Sequence, residues 1–494
     1  MLAPSGNLHS FDEVVPGAAM VKNLQRSSVL TARRRVRVQP QGGSAYGSAA
    51  AGAQNNQIQL IISDAQGLID PQSVNLIYTI NTAGTGAEVC EGPSWISRAQ
   101  CVLNGALVED IVYANRYVNA ELSLSSNQSW WKTAGSFLGM GLLNNELQTG
   151  PAPSSATLAT ALAQVQSYSG AWGDVSGNLS AMCDRTEQAA NSTGHPYAGE
   201  QRSLPLGCLF GLFRQGQYLP MSVLGSLNLT FFTASNGEAV FQNGTTADGT
   251  YSLSQVFIEY DVITPDPRYQ DVIMRMANDP NEAGLNIVYE STIMASGGQI
   301  AASATALSDS SIVCSRGTTN LVRTFLLQSP ATLQASNFFP AAACFQHANT
   351  FSIQWRVGSQ YFPQVPAEGD ASMFANSCLA YGHLTGENCG IIGRQLWGQT
   401  TTVSATGTAT NTTREGVVKF AFSDHFSPAY SFKTVAGDVD NENLIDGVNL
   451  AGASGSQLVC TIRSAPAVAM TPVLALVAQR ILQAANGAVR VLGA

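Results

Sequence analysis

Charge is what this sequence has least of. Only 12% of its 494 residues are Asp, Glu, Lys or Arg, about half the share of an ordinary soluble protein. Gly, with 46 residues, and Ser, Thr, Ala, Asn and Gln fill the gap. A surface poor in charge and rich in small polar groups suits contact with copies of itself. A secreted β protein or adhesin shares this composition and stands as the alternative. Histidine is scarce too. His9, His195, His347, His383 and His425 show no His-x-x-x-His or His-x-Glu spacing, so a zinc-hydrolase helix is excluded. The nine cysteines are an odd number and form no Cys-x-x-Cys pair. That excludes a zinc-ribbon spacing and a dense disulfide framework, and predicts buried thiols in a reducing compartment. No run of 18 apolar residues occurs, so no membrane-spanning helix is predicted. The start, Met1 to Gly6, lacks a basic-then-apolar pattern, and no signal peptide is expected. The sequons at Asn178, Asn191, Asn228, Asn243 and Asn411 are then unused. A Gly-x-Ser-x-Gly nucleophile turn is absent. Gly139-Met140-Gly141 lacks the strand-turn-helix setting of a nucleotide site. No cofactor and no enzymatic activity are expected.

What is present is alternation. Ile58, Leu60 and Ile62 alternate with polar residues, as do Val74, Leu76, Tyr78 and Ile80. The same period of two runs through Leu227–Phe232, Val256–Val262, Leu285–Tyr289 and Phe351–Val357. Such segments are half-buried strands. Further strands are expected at Trp95–Val108 with an Asn104-Gly105 hairpin, Leu209–Phe213, Ile312–Cys314, Leu321–Leu327, Val418–Phe422 and Leu458–Ile462. Helices are predicted over Glu109–Ala120, Ser155–Ser167 and 472–485. One more begins at Asp266, an N-cap, with Pro267 at the first helical position. Its stripe is Tyr269, Val272, Ile273 and Met276, and Asn278-Asp279-Pro280 stops it.

Many short strands with turn residues between them predict an all-β chain of two sandwiches of about 200 residues each. The expected organisation is a flexible basic arm over 1–50 and a first sandwich over 51–265, with an insertion at about 125–205. A connecting helix over 266–282, a second sandwich over 283–470 and a tail over 471–494 follow. The arm carries a net charge of +4 over residues 1–40, against −13 for the remainder.

Three segments carry a resemblance to a known family. Tyr218-Leu219-Pro220-Met221-Ser222-Val223-Leu224-Gly225 leads into a strand. Glu259-Tyr260-Asp261-Val262 precedes Pro265-Asp266-Pro267-Arg268-Tyr269. Gln354-Trp355-Arg356-Val357-Gly358-Ser359-Gln360-Tyr361-Phe362-Pro363 is the third. In this order they resemble the major capsid proteins of icosahedral double-stranded DNA viruses, especially the polinton-like virus and virophage group. The resemblance covers residues 55–465 without most of the insertion. It implies a double jelly roll: two eight-stranded sandwiches side by side, with three chains forming a pseudo-hexagonal capsomer of a virion shell. The implied partners are further copies of the chain, minor capsid and penton proteins, and an internal membrane or the genome through the arm. The insertion is then an outward tower or a clasp between subunits. The rival reading is an extracellular carbohydrate-binding β-sandwich, which predicts a signal peptide, paired cysteines and a monomer.

Candidate assembly residues are the arm arginines Arg33, Arg34, Arg35 and Arg37 and the helix residues Tyr269, Val272, Ile273 and Met276. Four arginines without interleaved aromatics are a weak nucleic-acid signal, and anchoring to neighbours is preferred. The acidic group Asp438, Asp440, Asn441, Glu442 and Asp446 does not match a calcium-loop spacing and reads as a solvated loop. Trp95, Trp355 and Trp397 read as core or interface aromatics.

Overall fold

The computed structural model describes residues 30–126, 130–138, 200–331, 350–381, 400–412, 428–432 and 447–493, apart from short breaks inside loops. The helix expected at Ser155–Ser167, the strand at Val418–Phe422, the acidic group at 438–446, Trp397 and all five histidines lie outside the described residues, as does most of the 125–205 insertion.

Sixteen strands build two sandwiches. In the first half they are β1 (Leu30–Val38), β2 (Gln57–Ile62), β3 (Asn75–Ala83), β4 (Ile96–Leu103), β5 (Ala106–Val112), β6 (Glu200–Pro205), β7 (Leu227–Thr233) and β8 (Thr250–Pro265). In the second half they are β9 (Leu285–Ser296), β10 (Ser308–Cys314), β11 (Leu321–Pro330), β12 (Thr350–Val357), β13 (Gln360–Glu368), β14 (Ala429–Ser431), β15 (Leu458–Ser464) and β16 (Met470–Ala485). The sheets of the first half run β1-β8-β3-β6 and β2-β7-β4-β5, all antiparallel. Those of the second run β9-β16-β11-β14 and β10-β15-β12-β13. Each strand of the second half thus occupies the place of the strand eight positions earlier. The chain folds twice into the same jelly roll, two sheets packed face to face with four equivalent strands in each; the two-residue strands Tyr46–Gly47, Leu68–Ile69 and Leu219–Pro220 add to the first sheet.

Local chemistry repeats with the topology. β4 and β5 join through Asn104-Gly105, both with positive φ (47° and 82°). This is the two-residue turn whose twist matches antiparallel strands. β12 and β13 join through Gly358-Ser359, with Gly358 at φ 59°. A helix follows each hairpin: α1 (Ala114–Ser125) after β5, and α3 (Gly369–Tyr381) after β13. Between the rolls lies α2 (Pro267–Asn278). Inward-facing aromatics fill each core. Trp95 stands edge-on to Tyr78 at 5.1 Å, and Trp355 lies 5.3 Å from Tyr430. Both tryptophans are fully buried.

Four sequence expectations are corrected. Residues 30–38 are not part of a flexible arm but β1, the edge strand of the first sheet, in register with β8 from Leu30↔Pro265 to Val38↔Ile258. Val36 and Val38 pack on the core while Arg33, Arg35 and Arg37, alternating with them, stay in water. Alternation, hidden inside a charge run, decided the outcome, and charge on an edge strand blocks unwanted pairing. Residues 472–485 are not a terminal helix, nor 471–494 a tail. They form β16 and, over Ala488–Leu492, a hairpin strand β17. β16 pairs with β9 on one flank and β11 on the other. It is covered on both faces, so its apolar residues run continuously and show no period of two. The helix expected over Glu109–Ala120 starts later. β5 continues to Val112, and Tyr113, at φ 57°, turns the chain into α1. Leu209–Phe213 is not a strand, since 3-10 turns occupy Leu206–Cys208 and Gly211–Phe213. The segment Tyr218–Gly225 leads into its strand through a helical turn at Met221–Leu224, and the strand begins at Leu227 as the alternation predicts.

Candidate assembly surfaces

The arginines of β1 stand on its exposed face above two acids of β8. Arg33 Nε donates to Asp261 Oδ2 at 3.1 Å. Arg37 Nη2 donates to Glu259 Oε1 at 2.6 Å, and Arg35 Nε lies 3.4 Å from Glu259 Oε2. The Arg37 guanidinium also lies 4.0 Å over the Phe257 ring. Arg33, Arg35 and Arg37 are therefore neutralised within the chain, while Arg34 points to the opposite side of the strand. These ladder pairs face solvent, where water and salt screen them, so they add little to stability.

Helix α2 is capped by Asp266, whose Oδ1 accepts from the Arg268 N–H at 2.9 Å. Only Ile273 and Ala277 face the body of the protein, and Ile273 packs with Leu68 and Ile263. Tyr269, Val272 and Met276 are 42, 51 and 43% exposed. The sequence-derived stripe is thus split. Ile273 belongs to the buried line at i and i+4, and the other three residues form an open apolar face.

The joint between the rolls is built elsewhere, by α1. Every residue from Ala114 to Leu122 is buried, because the second roll covers the helix. Tyr117 meets Phe325 of β11 edge-on at 6.0 Å. Glu121 receives a bidentate pair from Arg214 (2.9 and 3.2 Å) and a third contact from Arg323 of β11 at 3.3 Å. Arg323 also donates to Glu290 of β9 at 3.0 Å. Arg116 donates to Ser329 of β11 and, at 2.8 Å, to Glu238. Tyr289 Oη donates to the Val108 carbonyl at 3.2 Å. Burial pushes the Glu121 carboxyl upward, but the Arg214 and Arg323 guanidiniums outweigh it and hold it below its usual range. One apolar cluster runs unbroken through both rolls across this seam. The seam was not read from the sequence. Its available signal was Glu109, Arg116 and Glu121 placed close together in a chain otherwise poor in charge.

Glu109 lies in the same seam, 1% exposed, with Oε2 accepting from the Leu212 N–H at 3.2 Å. Burial raises its pKa from 4.5 to about 7, against the opposing pull of the Leu212, Gly211 and Thr292 N–H groups and of Arg214. Between those two pH values the folded chain holds a proton that the unfolded chain has released. Stability falls as pH rises through this window and levels off above it. At about 1.4 kcal/mol per pH unit the cost approaches about 3 kcal/mol. Glu109→Gln is expected to flatten this slope. Thermal unfolding of both proteins from pH 5 to 8 should show the variant gaining on the wild type as pH rises. A constant difference would show that Glu109 ionises as freely in the folded chain as in the unfolded one.

Among the described residues no group of three His, Cys, Asp or Glu side chains is placed to hold a metal ion, and no helix is long and apolar enough to cross a membrane. Cys101, Cys314 and Cys460 are buried free thiols.

No family model matches the sequence, and no curated protein matches it. Solved structures do share its architecture. PBCV-1 VP54, as fitted into a reconstruction of the virophage Sputnik, aligns over 94% of this chain and 97% of its own, with a TM-score of 0.51 at 11% identity. The quasi-atomic model of the PBCV-1 virus capsid aligns over 94% and 97%, with a TM-score of 0.50 at 12% identity. The Sputnik virophage structure aligns over 94% and 88%, with a TM-score of 0.51 at 12% identity. At these identities the likeness is one of fold, and the fold is the double jelly roll.

Proposed function

We propose that this chain is a major capsid protein, a structural subunit that acts by assembling into the shell of an icosahedral virus. The observation that carries the reading is the internal duplication, with two rolls of identical strand order fused through one continuous core. A subunit with two equivalent lobes presents six similar sides when three copies close into a ring, and such a tile packs into a curved hexagonal lattice. Shared architecture with the PBCV-1 and Sputnik structures over nearly the whole chain supports it. The low charge fits a surface that becomes buried between copies.

In this reading the open face of α2 (Tyr269, Val272, Met276) and the arginine ladder of β1 (Arg33, Arg35, Arg37) are contact surfaces within the shell, toward neighbouring capsomers or minor capsid and penton proteins. Arg34 belongs to the same strand. Because the ladder is matched by Asp261 and Glu259, its role is recognition by protein rather than neutralisation of a genome. Light scattering on the purified chain tests the reading. A mass three times 51.9 kDa is expected at micromolar concentration. A monomer at every concentration would overturn the capsomer.

A further inference from the structure

Arginine keeps its charge at any working pH, so an arginine taken out of water needs an anion beside it. The arginines of the seam have theirs within the chain. Arg116, 5% exposed, donates to Glu238, and Arg214 and Arg323 share Glu121. Arg202 is different. It is just as buried, at 5%, yet its Nε and Nη1 find no hydrogen-bond partner. None of the ion pairs among the described residues includes it.

Its surroundings add donors rather than acceptors. Arg202 lies on β6, at the edge of the first sheet, and is paired in register with Tyr78 of β3. Tyr78 stands edge-on to Trp95 at 5.1 Å. Tyr78 Oη and Trp95 Nε1 are likewise buried without a hydrogen-bond partner. The indole N–H can only donate. Burial holds the Tyr78 phenol above its ordinary pKa, against the pull of the Arg202 guanidinium, so the phenol keeps a proton to give. Guanidinium, phenol and indole thus bring several N–H and O–H groups and a full positive charge to one part of the core. Water accepts hydrogen bonds but brings no charge to balance the guanidinium. The second roll makes no such demand. Its β14, the strand equivalent to β6, carries the Tyr430 ring against Trp355 at 5.3 Å.

We propose that Arg202, Tyr78 and Trp95 form a binding site for a small monovalent anion of the chloride type, taken from solution and held inside the first roll. A single cation calls for a single negative charge. Tyr78 and Trp95 are fully buried, and that depth suits a small ion over a phosphate or a nucleotide. The bound anion is a structural part of the roll. It neutralises a charge that would otherwise oppose folding, and it stabilises the folded chain as its concentration rises above the dissociation constant. The site is internal to one roll, so it exists whether or not the capsomer forms.

Thermal unfolding of the full chain tests this, with sodium chloride replacing sodium gluconate at constant ionic strength. The wild type is expected to gain about 1–2 °C for each tenfold rise in chloride above half-saturation. Arg202→Met, which keeps a long side chain and drops the charge, is expected to show no chloride response. Tyr78→Phe keeps the charge and removes one O–H, and is expected to need about threefold more chloride for half-saturation. It decides the matter if Arg202→Met fails to fold. A wild type indifferent to chloride, or one whose response either variant leaves unchanged, overturns the site. Glu200 stands two residues before Arg202, and Glu200→Gln distinguishes a carboxylate of the chain from a free ion. A wild type indifferent to chloride that Glu200→Gln destabilises as much as Arg202→Met places the counter-charge in the chain itself and overturns the proposal.

Discussion

Replacing Gly211 with alanine is expected to destabilise the chain more than any other single methyl group we identify. Gly211 lies where a 3-10 turn of the first roll touches β9 of the second. An added Cβ would overlap the carbonyl oxygen of Glu290 and come within 2.7 Å of its carbon. Both partners are backbone, so neither can swing away as a side chain would. Overpacking a core costs about 1–3 kcal/mol and occasionally more, and relief here requires the two rolls to part. A loss of at least about 3 kcal/mol is expected, at the upper end of that range. Gly216, a few residues on, has no atom within 4 Å of its would-be Cβ. Gly216→Ala is therefore the matched control, with an effect inside about 0.5 kcal/mol. Thermal or denaturant unfolding of the two variants measures the difference. Equal stabilities would mean that the seam does not hold the rolls as closely as described.

Removing the Glu121 carboxylate is expected to have a comparable effect through charge. Glu121→Leu leaves Arg214 and Arg323 facing each other in a buried seam without their shared anion. Breaking a buried ion network by deleting one partner costs about 3–5 kcal/mol, most of it the uncompensated charge left behind. Arg37→Ala, which opens a solvent-facing pair with Glu259, is expected to cost about 1 kcal/mol or less. The network also has a pH signature. The Glu121 pKa is lowered by its guanidinium partners, so its contribution is present above the ordinary carboxylate range and is lost as pH falls through the lowered value. Acid unfolding of the wild type should therefore be steeper than that of Glu121→Leu. An unaltered acid profile would show that the carboxylate is not the charge holding the seam.

How much of this was legible in the residues depended on which faces were wet. β2, β7 and β12 alternate cleanly because one side is core and the other solvent, and their positions were read correctly. Asn104-Gly105 announced its hairpin for the same local reason. β16 was misread because the second sheet is covered on both faces there, so Val473 to Ala478 gives no alternation to detect. β1 was misread because Arg33, Arg35 and Arg37 looked like a solvated run. Only pairing with Asp261 and Glu259, more than two hundred residues away, makes them a strand face. The α2 stripe was half correct: sequence marks the apolar residues of a helix but not which of them a neighbour covers. The seam was the least legible part. Glu109, Arg116, Glu121, Arg214, Glu290 and Arg323 come from distant stretches of chain, and only the fold gathers them.

These features converge on one design. A duplicated roll supplies two equivalent lobes, and a buried ion network fixes one lobe against the other. The central claim is that three such subunits close into one six-lobed ring. Negative-stain images of the purified protein test it most directly. Class averages with a hexagonal outline and threefold symmetry are the expected result, and isolated two-lobed particles at assembly concentrations would contradict it.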